Sequence, residues 1–128
     1  LRQIADRALG SIELPQPSGT WQGDLKKVVS RIKGVPAGMI FLGNGSDEII
    51  DLCFRTFCSP GTDKALTFNP SYGMYSVSAA VNDVEIIKVP LDDKYQIDLR
   101  DLIPRLSDPH LKLIIICSPN NPTGNCMN

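Results

Sequence analysis

Three short segments hold the residues whose types and spacing could do chemistry. In Gly43-Asn44-Gly45-Ser46-Asp47-Glu48, two glycines and a hydroxyl stand directly before an apolar-periodic stretch. Glycine lets the backbone turn sharply and approach a ligand. The first amides of a helix lack partners and its dipole favours an anion, so this is a phosphate-seat pattern. The plainer alternative is a strand-to-helix turn capped by Ser46 or Asp47, with the acids favouring the first turn. A dinucleotide fingerprint is excluded because Glu48 stands where its third glycine belongs, and a P-loop because no Gly-Lys-Ser/Thr follows. In Asn69-Pro70-Ser71-Tyr72-Gly73-Met74-Tyr75, Pro70 stiffens a turn and Tyr72 could stack on a flat heterocycle; alternatively Tyr72 and Tyr75 are core-edge residues. In Ser118-Pro119-Asn120-Asn121-Pro122-Thr123-Gly124, two prolines restrict the backbone around two amides, so a side chain with both donor and acceptor can be aimed. The alternative there is a simple loop.

Such turns need strands to deliver them. Leu25, Val28, Val29 and Ile32 form one helical face, started by Asp24 and stopped by Gly34 and Pro36. Met39 to Leu42 reads as a first short strand, and Ser46 to Phe57 as a helix ended by Ser59-Pro60-Gly61. Ala65 to Phe68 is a second strand, Tyr72 to Val81 a helix and Val84 to Val89 a third strand. Asp98 caps a short helix over Leu99 to Leu106 that Pro104 distorts or ends. Leu111 to Cys117 is a fourth strand, and its apolar run reads as interior, covered on both faces. Residues 1 to 23 are the least readable, with a short helix over Leu1 to Leu9 and a Pro/Gly loop after it. The alternation predicts an α/β fold, a mostly parallel sheet with helices on both faces, over residues 24–128. In such a sheet ligands bind beyond the carboxyl ends of the strands, where all three turns would lie. The chain also reads as a fragment: it has no initiator Met, and its most apolar strand should pair with something further on.

Composition narrows the function classes. The 128 residues carry 13 Lys+Arg and 14 Asp+Glu, a net charge of -1, with 42% hydrophobic residues. That balance argues against a basic nucleic-acid binder and an acidic disordered tail. The run Leu113 to Cys117 is far shorter than the roughly 20 residues of a membrane span, and no secretory signal is visible. Cys53, Cys58, Cys117 and Cys126 lack zinc-knuckle spacing, and His110 sits in a polar loop, so no metal site is expected. Reduced cysteines and a cytoplasmic location are the expectation.

Taken together, the segments Phe41 to Glu48, Asn69 to Ala79 and Cys117 to Gly124 resemble the histidinol-phosphate aminotransferases, fold-type-I enzymes dependent on pyridoxal 5'-phosphate. The likeness covers roughly residues 24 to 128. Asn-Pro-Thr-Gly marks aminotransferases generally, whereas Tyr-Gly-Met-Tyr-Ser points to this family. The resemblance implies a part of the large cofactor-binding domain. It implies that the amides of Gly45, Ser46 and Asp47 help hold the cofactor phosphate, that Tyr72 stacks on the pyridine ring, and that Asn121 donates a hydrogen bond to the ring's phenolic oxygen. The implied reaction is amino transfer between L-histidinol phosphate with 2-oxoglutarate and imidazole-acetol phosphate with glutamate, a step of histidine biosynthesis, in a homodimer acting on small molecules and not on nucleic acid or membrane. The family's Schiff-base lysine, its acid for the pyridine nitrogen and its remaining phosphate ligands are expected after Asn128. No lysine of this chain therefore takes that role, and these residues alone are expected to be inactive. Residues 1 to about 20 do not match the family's N-terminal arm. The alternatives are a related fold-type-I aminotransferase or phosphothreonine decarboxylase, and a non-catalytic truncated product acting only as a folding or interaction unit.

Overall fold

The computed structural model describes residues 21–127. The chain divides into two compact units, residues 1–42 and 43–128. In the first, helix α1 spans Trp21–Lys33, four residues longer at its start than the Asp24 cap implies. Asp24 instead lies in the first turn, where a carboxylate suits the helix dipole, and bonds Lys27 at 3.0 Å. Gly34 ends the helix at φ +66°, its amide reaching the Ser30 carbonyl at 2.9 Å. That left-handed conformation is one glycine adopts without a Cβ clash. The expected strand over Met39 to Leu42 does not form: Ala37–Met39 is a single 3-10 turn, and no described strand pairs with the residues after it. Met39 and Phe41 are 78% and 66% exposed. An apolar run becomes a strand only where an edge accepts its backbone bonds. The helix expected over Leu1 to Leu9 lies outside the described residues.

In the second unit, α2 (Ser46–Phe57), β1 (Lys64–Asn69), α3 (Met74–Val81), β2 (Glu85–Pro90), α4 (Leu99–Leu102) and β3 (Leu111–Ile114) follow in order. The sheet is parallel throughout, in the order β2-β1-β3. The α/β alternation read from the sequence therefore holds, with β1 in the middle. Among the described residues β1 takes the middle place, and β3, which leads into the run ending at Cys117, is paired on one side. Ala65, Leu66, Thr67 and Phe68 are all buried, while β3 forms an edge among the described residues and leaves Ile114 41% and Ile116 52% exposed. A symmetric apolar pattern reports what a strand can tolerate, whereas pairing on both sides decides which strand is central.

Alternation along β1 separates two cores. On one face Phe54 of α2 and Ala79 of α3 pack with Ala65, Cys58 and Val84. On the other, Leu66, Phe68 and Val89 pack against Leu91 and Ile97, which follow β2, and against Leu102 of α4. A bulge between Lys64 and Ala65 in the β1–β3 register shifts β3 by one residue, so Leu111 joins the second core while Leu113 and Ile115 join the first. Asp98 caps α4, accepting from the Arg100 amide at 2.8 Å. Pro104, which has no N–H to give, marks the change to a 3-10 turn over Ile103–Arg105. The four cysteines are free, and no helix among the described residues is long and apolar enough to cross a membrane.

Candidate functional site

Two of the three turns follow β1 and β3 at their carboxyl ends, and the remaining one opens α2. In that opening turn Gly45 occupies the N-cap at φ +85°, and no side chain caps the helix. The alternative in which Ser46 or Asp47 serves as the cap is thereby excluded; Glu48 instead folds back to accept the Asn44 amide. The leading amides of α2 are left without a side-chain acceptor, the condition in which a helix start binds an anion. At Gly43 a Cβ would meet the outer atoms of the Ile49 side chain, which would have to move aside.

In the second turn the half-buried Tyr72 donates its hydroxyl to the Asp47 carboxylate at 3.0 Å. That bond, with some desolvation, pushes the Tyr72 phenol above its ordinary range. Tyr75 meets Tyr72 edge-on, with ring centroids 5.6 Å apart and planes at 83°. Tyr75 is buried, and burial, reinforced by a hydrogen bond with Cys117, pushes its phenol far upward. Both rings are therefore neutral at any physiological pH, and the Tyr72 ring is held by Asp47 at its hydroxyl and by Tyr75 at its side.

The third turn separates the two asparagines. Asn120 is buried at 3% exposure, with its side chain bonded to Ser71, Pro70 and Thr123. Asn121 is exposed, and its amide has no protein partner among the described residues. Ser46, Ile50, Tyr72, Tyr75, Cys117 and Asn121 line one cleft of about 340 Å³.

Of the residues singled out by sequence, Ser46, Tyr72 and Asn121 thus share one cavity. Asp47 reaches it through the Tyr72 hydroxyl, and Gly45 adjoins it as the N-cap. Sequence reasoning missed Ile50, Tyr75, Cys117 and Asn120. Ile50 was visible only as an apolar helix position, Tyr75 as an aromatic of the second turn or a core-edge residue, Cys117 as the end of an apolar run and Asn120 as one of two amides between prolines. Chemically, the cleft presents uncapped amides, a neutral aromatic ring and a free carboxamide. Among the described residues, no lysine, histidine or carboxylate lines it.

The family model for aminotransferase class I and II matches residues 22–128. The chain belongs to that family. Two relatives named histidinol-phosphate aminotransferase are close to this aminotransferase segment in sequence. The one from Bacteroides fragilis is 55% identical over 104 residues, and the one from Cytophaga hutchinsonii 54% over 106. Those alignments cover 81% and 83% of this chain and 30% of each relative, so the chain spans about a third of their length. Among solved structures, the histidinol-phosphate aminotransferase of Clostridium acetobutylicum superposes with a TM-score of 0.71 at 32% identity, covering 84% of this chain and 30% of that one. An alanine aminotransferase from Pyrococcus furiosus reaches 0.78 at 22% identity over 99% of this chain and 34% of its own, a likeness of fold. The fold is that of the fold-type-I pyridoxal-phosphate enzymes.

Proposed function

We propose that the protein carrying this segment is a pyridoxal 5'-phosphate-dependent aminotransferase of histidine biosynthesis. It would exchange the amino group between L-histidinol phosphate with 2-oxoglutarate and imidazole-acetol phosphate with glutamate. The observation that carries the reading is the convergence of Ser46, Tyr72 and Asn121 on one cleft beside an uncapped helix start. The donor set fits the group: amides for a phosphate, a ring face for a flat heterocycle, and an unpaired carboxamide for a ring oxygen. The sequence likeness to enzymes named for histidinol phosphate supports the substrate.

When bound, pyridoxal phosphate supplies the electron sink that makes amino transfer possible. The chain's own residues orient it. The amides of Gly45, Ser46 and Asp47 hold the phosphate at the start of α2. Tyr72 covers one ring face, and its hydroxyl is already committed to Asp47, which leaves only the face to offer. Asn121 donates to the ring's phenolic oxygen and stabilises its anionic form. Residues 24–128 would form part of the large domain of a cytoplasmic homodimer that acts on small molecules. Free cysteines suit a reducing compartment.

The test is cofactor titration by absorbance in the protein that carries this segment, followed by a substrate screen. Histidinol phosphate is expected to outperform aromatic amino acids and phosphothreonine. Asn121→Ala is expected to weaken cofactor binding roughly tenfold to a hundredfold, the range for a lost hydrogen bond to a charged group. No cofactor binding by the wild-type protein, or full affinity in both Asn121→Ala and Tyr72→Ala, would overturn the reading.

A further inference from the structure

The two neighbouring asparagines of the third turn point opposite ways. Asn121 is exposed beside the cleft, whereas Asn120 is turned inward and buried. We infer that Asn120 is a positioning residue: it latches the turn after β3 to the turn after β1, and so sets the spacing between the Tyr72 ring and the Asn121 amide. The inference rests on the reading of those two residues as cofactor contacts.

The need for a latch comes from where the sheet stops. The last bonds between the two strands' continuations are the Ile115 amide to the Leu66 carbonyl at 2.8 Å and the Thr67 hydroxyl to the Ile115 carbonyl at 3.4 Å. Beyond them the twist of a parallel pair carries the strand ends apart. Yet Tyr72 and Asn121, which lie further on, line one cleft. Asn120 bridges the gap. Its Oδ1 accepts from Ser71 Oγ at 2.9 Å, and its Nδ2 donates to the Pro70 carbonyl at 3.0 Å and to Thr123 Oγ1 at 2.7 Å. Its backbone amide reaches the Asn125 carbonyl at 2.8 Å, and its carbonyl accepts from Gly124 at 2.7 Å. The far side of the turn is tied as well: Thr123 donates to Asn125, which donates to the Tyr95 carbonyl at 2.8 Å.

The residue type follows from this pattern. Only a carboxamide offers two donors and an acceptor on one small planar group. An aspartate of the same shape would face the Pro70 carbonyl with no proton to give. The Thr123 hydroxyl could turn its proton to the new carboxylate only by releasing Asn125, which ties the far side of the turn. Residues 70, 71 and 120 touch the cleft's contents only through their neighbours, so their effect must appear as geometry and not as lost chemistry.

The test compares Asn120→Asp, Ser71→Ala and Ser71→Thr in the protein that carries this segment. Asn120→Asp is expected to weaken pyridoxal phosphate binding about tenfold or more and to reduce the induced circular dichroism of the bound cofactor. Ser71→Ala is expected to do the same to a lesser degree, about threefold, while Ser71→Thr, which keeps the hydroxyl, restores wild-type values. In the cofactor-free protein, iodoacetamide should label Cys117 faster in Asn120→Asp and Ser71→Ala than in wild type, read peptide by peptide in a mass spectrometer. Wild-type affinity, dichroism and Cys117 labelling in variants whose melting temperature alone has fallen would reduce Asn120 to a structural residue and overturn the inference. If Asn120→Asp does not fold, the Ser71 pair decides. If the wild-type protein binds no cofactor, the proposed function fails while the Cys117 rates still report on the latch.

Discussion

The sheet has a hollow at each end, and the two differ in a way that volume does not reveal. At the amino ends of β1 and β2, a recess of about 460 Å³ is lined by residues including Thr62, Asp63, Asp83 and Glu85. The cleft at the carboxyl ends is smaller, about 340 Å³. The larger recess is acidic, with Asp63, Asp83 and Glu85 in its lining, and its groups are only partly engaged within the protein. Asp63 accepts the Ser59 amide at 2.8 Å, and the Gly61 amide bonds the Asp83 carbonyl at 2.6 Å. Beside it Lys64 bridges Asp108 at 3.1 Å and Glu85 at 3.8 Å. The smaller cleft keeps an uncapped helix start and an unpaired Asn121. The recess offers acceptors and negative charge, whereas the cleft offers amide donors at a helix start, which is the chemistry an anionic ligand needs.

Three changes separate the ends, the largest effect first. Phe54, fully buried, belongs to the core that includes Val84, which lines the larger recess, and that packs against Ile50, which lines the cleft. Phe54→Ala is expected to lower stability by about 3–5 kcal/mol and to damage both ends together, measured as a fall in melting temperature. A small loss would mean that the ends are supported independently. Gly45→Ala acts at the carboxyl end alone. At φ +85° and ψ 175°, a backbone region kept almost wholly to glycine, an alanine is strained by about 1–3 kcal/mol although no atom lies near its Cβ. The cost should appear chiefly as weaker cofactor binding in a titration, with the amino-end recess unaffected.

The smallest effect belongs to the amino end. Asp108 accepts the His110 amide at 2.9 Å and pairs with Lys64; these hold its carboxyl below the ordinary aspartate value of 3.8. A group depressed on folding stabilises above its unfolded pKa, and that contribution disappears as pH falls through its folded pKa. Asp108→Asn is therefore expected to flatten the acid side of the stability–pH curve below about pH 4 and to leave cofactor affinity at neutral pH unchanged. A cofactor-affinity loss in this variant would break the separation of the two ends.

Much of the second unit is legible in the sequence. Helix α2 begins at Ser46 and ends at Phe57 as its periodicity and the Ser-Pro-Gly stop imply, because local propensity, pattern and turn chemistry agree there. Strands β1 and β2 lie within a residue of expectation for the same reason. Where tertiary pairing decides, the reading failed. Met39 to Leu42 looks like a strand and pairs with none of the described strands. Among the described residues the most apolar run is paired on one side only, while the shorter Ala65–Phe68 segment takes the centre.

The candidate site divides along the same line. Residue types and spacing alone determined that Gly45 would turn the chain into a helix start, that Tyr72 would stand after a proline turn, and that an asparagine would be held between two prolines, because each depends on a few neighbouring residues. Which of the two asparagines stays free, that Tyr75 and Asp47 together hold the Tyr72 ring, and that the three turns meet in one cleft were decided only by the parallel order of the strands. Residues 71 and 120 become neighbours because β1 and β3 lie side by side, and no local pattern in a chain records the order in which distant strands will pair.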